Sequence, residues 1–182
     1  MLYDTTITFK QGWNYSFILY GSARAKALHS LVTVDTTMAL PADNGVWVRT
    51  INVATDTTGL GPSVDAFVTN YHNTPAGAPN LAASTYGKVS AYVRVGVDSL
   101  GAFLTRTGTT TPVVASANFN FGVPGDAVTD PIPGSLIKNT AFSIVVLPRS
   151  TPGAGVPVNY ANPGVFILID QPPPTHDGLI VW

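Results

Sequence analysis

The chain contains no glutamate: its ten acidic residues are all aspartates. Glutamate, lysine, arginine and glutamine are the residues that normally coat the solvent face of helices. With only 10% of residues charged, few exposed helical faces can be built. Aspartate acts differently, because its short side chain bonds nearby backbone and favours turns and caps. The deficit predicts an all-β chain.

Strand signals support that expectation along the whole sequence. Val46 to Val53 is β-rich and follows Asp43-Asn44-Gly45, which is turn chemistry. Lys88 to Asp98 alternates, with Val89, Ala91, Val93, Val95 and Val97 expected on one face. Val113 to Phe121 alternates as well. Leu2 to Phe9, Asn14 to Tyr20, Leu28 to Val34, Val64 to Asn70 and Ala102 to Thr107 are further candidate strands, and Leu179 to Trp182 is a short last one. Ala141 to Leu147 and Val165 to Asp170 are continuous apolar runs, as expected for strands covered on both faces. Ser22 to Ser30 is the single candidate helix. Gly/Pro clusters such as Gly59-Leu60-Gly61-Pro62 and Pro131-Ile132-Pro133-Gly134 punctuate the rest. Roughly eight to ten short strands suit an antiparallel sandwich or barrel, with a single jelly roll as the favoured form. At 182 residues, one β-sandwich domain over residues 1–171 is expected. Residues 172–182 form a Pro-rich C-terminal tail.

The chain is 45% hydrophobic with a mean hydropathy of +0.24. Its longest apolar stretches fall far short of the roughly 20 residues a spanning helix requires. No charged segment followed by an apolar one opens the sequence, so neither a signal peptide nor a transmembrane segment is expected. The apolar excess is instead expected at subunit contacts, which resemble a domain core cut in half. Net charge is −1, and the cations are scattered singly. Nucleic-acid binding relies on clustered cations, so direct genome contact is not expected. The absence of cysteine removes disulfides and thiolate metal sites.

Catalytic signatures are missing. His29, His72 and His176 lie too far apart in sequence for a local zinc pair. No Gly-x-Ser-x-Gly elbow, phosphate loop or dinucleotide fingerprint occurs. Asp126 and Asp130 can bind calcium with backbone carbonyls, but ordinary turn chemistry beside Gly125 and Pro131 accounts for both. Asn14-Tyr15-Ser16 matches a glycosylation sequon at a strand start. No cofactor, metal or enzymatic activity is expected. Trp47 is read as a core residue.

Interface residues are expected in two places. Residues 70–87 are long for a connector, and such loops tend to be functional or to pack on a neighbour. Tyr71 and His72 open this loop. Pro172, Pro173 and Pro174 form a stiff extended segment, which directs Trp182 at the chain's end toward a docking surface.

Strand rhythm, low charge and rigid Gly/Pro loops together give a chain that resembles virion structural proteins, either single jelly-roll capsid proteins or phage decoration proteins. The resemblance covers the whole chain as pattern and rests on no signature motif. It implies a self-associating subunit, a trimer or higher, that contacts other virion proteins and is located in the virion. The start Met1-Leu2-Tyr3-Asp4-Thr5-Thr6-Ile7 departs from the basic N-terminal arm of many RNA-packaging coats, which favours an outer-shell or decoration role. A β-sandwich receptor- or glycan-binding module is the alternative, with loops 70–87 and 122–135 as its binding loops. A cupin-like enzyme ranks last, because that site requires clustered histidines and a glutamate.

Overall fold

A computed structural model describes residues 4–23, 25–35, 46–54, 63–70, 73–96, 100–111, 114–119, 140–148 and 164–171. The protein is all-β. The described residues form eleven strands and no helix. The sequence reads as one domain over residues 1–171, but the chain divides into two compact units, Met1–Leu40 and Pro41–Trp182.

The first unit is a hairpin. Strand β1 (Tyr15–Ser22) pairs antiparallel with β2 (Ala27–Val34), and the pairs run without a slip from Tyr15↔Val34 to Ser22↔Ala27. The expected helix over Ser22 to Ser30 is therefore corrected to a turn and a strand. Its β-branched and aromatic neighbours outweigh the local Ala content once a partner strand is available. Gly21 permits the close approach at the turn end. Its φ is +102°, and a Cβ there would stand 2.1 Å from the Ala27 carbonyl oxygen. Residues 4–9, the described part of the strand expected over Leu2 to Phe9, are irregular and largely exposed.

The second unit is a β-sandwich. One sheet is built on β3 (Val46–Asn52), β10 (Thr140–Leu147) and β11 (Gly164–Gln171), in the order β11-β10-β3. Two short strands, β6 (Lys88–Val89) and β7 (Val93–Val95), both pair with the far edge of β3. The other sheet runs β5-β4-β8-β9, with β4 Ser63–Thr69, β5 Leu81–Thr85, β8 Leu100–Arg106 and β9 Ala115–Phe119. Val46, Val48, Phe142, Ile144, Val146 and Ile167 of the first sheet meet Val64, Ala66, Val68, Leu81, Leu100, Ala102 and Leu104 of the second in one buried core. Burying each valine, leucine, isoleucine or phenylalanine side chain among them contributes about 1.5–3 kcal/mol. Asn52 stitches the sheets at one end. Its Nδ2 donates to the Ser84 carbonyl at 2.8 Å, and its own carbonyl accepts the Gly87 amide at 2.7 Å.

The expectation of a β-sandwich is met, but the described strands do not carry its jelly-roll form. Jelly rolls are antiparallel architectures, whereas β3 and β10 pair in parallel from Val46↔Thr140 to Asn52↔Val146. A parallel ladder buried on both faces suits these strands: β10 is buried from Thr140 to Val146, and β3 throughout except at Trp47, which is only partly covered. The apolar run at β10 thus behaves as read. The run at β11 does not, because among the described strands β11 lies at the sheet edge, and Phe166 is 52% exposed.

The strand expected over Lys88 to Asp98 is broken. Val89 lies opposite Ile51, but Val93 lies opposite Val48. The sum of partner numbers thus shifts by one residue across Ser90–Tyr92. A one-residue shift turns side chains to the other face. Val93 and Val95 therefore reach the core, whereas Val89 faces the same side as Ile51. The five small hydrophobes do not share a face.

Candidate functional site

The residues expected at an interface, Tyr71, His72, Pro172, Pro173, Pro174 and Trp182, lie outside the described residues, as do Asp126, Asp130 and His176. Beside Tyr71 and His72, the Asn73 amide donates to the Asn70 carbonyl at 3.0 Å. Part of the long loop is strand: Leu81–Thr85 is β5, joined to β6 by Tyr86-Gly87. Among the described residues, no three His or Asp side chains gather where they could hold a metal ion. No helix among them is long and apolar enough to cross a membrane.

The structure assembles a polar cluster that the sequence does not announce. Along β3, Val46 and Val48 face the core, so Trp47, Arg49 and Ile51 face the opposite side of the sheet. Ser143 stands opposite Arg49 in the parallel register. Asp170 arrives by a bulge: Ile169 pairs with Phe142 and Gln171 with Ala141, which leaves Asp170 as the extra residue. Bulges re-aim side chains, and this one directs a carboxylate across the sheet. The Arg49 Nε donates to Ser143 Oγ at 2.6 Å, and its terminal nitrogen is 3.3 Å from Asp170 Oδ1. Ser143 Oγ donates in turn to Asp170 Oδ2 at 2.6 Å.

Tyr92 completes the cluster from the far edge. The one-residue shift between β6 and β7 sets Tyr92 against Arg49 on this face. Its ring centroid is 4.7 Å from the guanidinium carbon, and its hydroxyl donates to Asp170 Oδ2 at 2.7 Å. Four side chains from β11, β10, β3 and the β6–β7 link are thereby tied together. The Arg49 and Asp170 side chains are 5% and 1% exposed, and Ser143 is fully buried. A buried ion pair of this kind persists only where further hydrogen bonds occupy the remaining donors and lone pairs. Ser143, engaged as both donor and acceptor and sealed from solvent, is placed for a structural tie. Trp47 lies on this face rather than in the core expected for it. It is partly covered, with its Nε1 buried and unpartnered.

Asp65 makes a second tie, on the β4–β8 sheet. Buried at 3% exposure, it accepts the Ala83 amide at 2.7 Å and the Gly108 amide at 2.8 Å. It thereby fixes the strained β5 irregularity, where Ala83 has φ +50°, and the β8–β9 turn, where Gly108 takes φ +81° without strain.

The hairpin presents a different surface. Tyr15, Phe17 and Leu19 of β1 share a face with Val34, Val32 and Ser30 of β2. Phe17, Leu19, Val32 and Val34 are exposed large hydrophobics, and so are Phe9 and Trp13 just before the hairpin. Tyr15 anchors an aromatic group, with Phe9 edge-on at 4.9 Å and Trp13 stacked at 6.4 Å. The Lys10 ammonium lies 4.7 Å from the Trp13 ring. The opposite face is more polar: Asp35 accepts hydrogen bonds from the Ser16 and Thr33 hydroxyls, and His29 lies beside Tyr20. The alternation Val32-Thr33-Val34 was a signal for this apolar face, whereas Ile18 between Phe17 and Leu19 hides it in β1.

No protein-family model matches this sequence, and a search of curated proteins finds no significant match.

Proposed function

We propose that this chain is a structural subunit of a viral or phage particle, a capsid or decoration protein that associates with copies of itself and with other shell proteins. The observation that supports this reading best is the apolar hairpin face of Phe17, Leu19, Val32 and Val34, which carries no charged side chain. Patches of this kind mark interaction surfaces, and a chain of net charge −1 offers little repulsion between copies. The buried polar ties of the sandwich support a rigid building unit rather than a reaction centre.

Sedimentation and negative-stain microscopy of purified protein across a concentration series test the reading. Trimers, larger oligomers, sheets or shells are expected. The double variant Phe17→Ser with Leu19→Ser is expected to shift the population toward monomer. A stable monomer at all concentrations that binds glycans on an array would overturn the assembly role and favour a receptor- or glycan-binding module.

A further inference from the structure

We propose that the Tyr92–Arg49–Ser143–Asp170 cluster is an acid-sensitive latch that holds edge strand β11 onto the sandwich. Strand β11 ends the order β11-β10-β3, so among the described strands its ladder runs along β10 alone. At the bulge that ladder is interrupted, and the Asp170 side chain takes over. Its carboxylate receives Ser143 of β10, Arg49 of β3 and the Tyr92 hydroxyl of the β6–β7 link. One end of β11 is thereby fastened to β10, to β3 and to the β6–β7 link.

The fastening depends on one negative charge. Among the described residues, the titratable and charged groups on this side of the sheet are Arg49 from β3, Tyr92 from the β6–β7 link, and Arg94 from β7, which lies opposite Trp47. Those facing Asp170 are cationic or neutral hydrogen-bond donors. Protonating Asp170 removes the charge 3.3 Å from the buried guanidinium and weakens the pairing that holds β3 and β11 together. Strand β11 can give way without breaking the parallel β3–β10 ladder, and so can the short β6 and β7 on the other edge of β3, but the Asp170 charge sits on β11. Acid is therefore expected to open β11 as a local unit before the sandwich unfolds. This inference concerns the sandwich alone and does not depend on the assembly role.

Hydrogen exchange by mass spectrometry on the full chain, at pH 7.5 and at about pH 2, well below the ordinary carboxylate range of about 3.9, with correction for intrinsic rates, tests it. Acid is expected to lower protection in peptides covering residues 164–171 at least tenfold more than in peptides covering β4 and β8. Asp170→Asn is expected to show the loosened strand at both pH values. Tyr92→Phe, which keeps the ring on Arg49, is expected to loosen β11 selectively and to a smaller extent, and it remains decisive if Asp170→Asn does not fold. Equal acid effects on all strands would overturn the latch. So would Tyr92→Phe exchange in β11 indistinguishable from that of the unaltered chain.

Discussion

The sandwich and the hairpin use the same residue types in opposite ways. In the sandwich, valines, leucines and Phe142 disappear between two sheets. In the hairpin, Phe17, Leu19, Val32 and Val34 stay in contact with solvent. An isolated two-stranded hairpin is marginally stable in water, whereas a closed two-layer core is self-sufficient. Stability is therefore concentrated in one unit, and uncovered apolar surface in the other. The same substitution should have very different consequences in the two places.

The largest effect is expected in the core. Phe142 is 1% exposed near the start of β10, a strand flanked by β3 and β11. Phe142→Ala should destabilise the protein by about 3–5 kcal/mol, through lost transfer energy and a residual cavity. Urea denaturation monitored by circular dichroism measures it. A loss below about 1 kcal/mol would mean that the core is loosely packed, and the contrast between the units would collapse.

A smaller loss is expected at a polar tie. Asp65→Asn keeps the shape of the side chain but turns one acceptor into a donor facing a backbone amide, at either Ala83 or Gly108. A cost of about 1–3 kcal/mol follows from the unsatisfied buried group. Exchange of the Ala83 and Gly108 amides should accelerate beyond the global change.

Much of the sandwich was legible in the sequence. Alternation and apolar runs located β3, β4, β8 and β10 to within a few residues, because those strands are regular and deeply buried. The failures share a physical cause. Val89 and Val93 sit on opposite faces because a shift at Ser90–Tyr92 intervenes, and no local periodicity encodes a register shift imposed by a partner strand. Strand β5 was hidden in a small, Ala-rich segment that strands do not favour and that Asn52 and Asp65 hold in place. The polar cluster joins positions 49, 92, 143 and 170, which only the fold brings together. A trace of it was visible: Arg49 and Ser143 are polar residues inside runs of buried apolar ones, and such residues need partners. The notion that Val165 to Asp170 is covered on both faces failed at Phe166, because edge position depends on topology rather than on composition.

Thr50 sharpens the rule that the sandwich buries polar groups in satisfied pairs. Its hydroxyl is fully buried and lacks a hydrogen-bond partner, and by alternation with Val46 and Val48 it faces the core. Thr50→Val should remove that unsatisfied hydroxyl at nearly constant volume and stabilise the fold by about 1 kcal/mol. A higher urea midpoint with an unchanged slope is the expected readout. Destabilisation instead would show that the hydroxyl has a partner in solution.

The smallest stability effect is expected on the hairpin face, and there the contrast between the units is most exposed to failure. Phe17 and Leu19 are 47% and 51% exposed, so replacing both by serine removes little buried area. Exposed sites of this kind usually change stability by less than about 0.5 kcal/mol each. The urea midpoint of the sandwich should therefore barely move, while self-association measured by sedimentation weakens. If the double variant instead destabilises the protein as strongly as Phe142→Ala does, the hairpin face contributes to the fold rather than to association. An unchanged midpoint with unchanged association would show that these side chains serve neither, and whatever association is measured would then have to be sought on the sandwich, with exposed Phe166 of β11 as the next residue to alter.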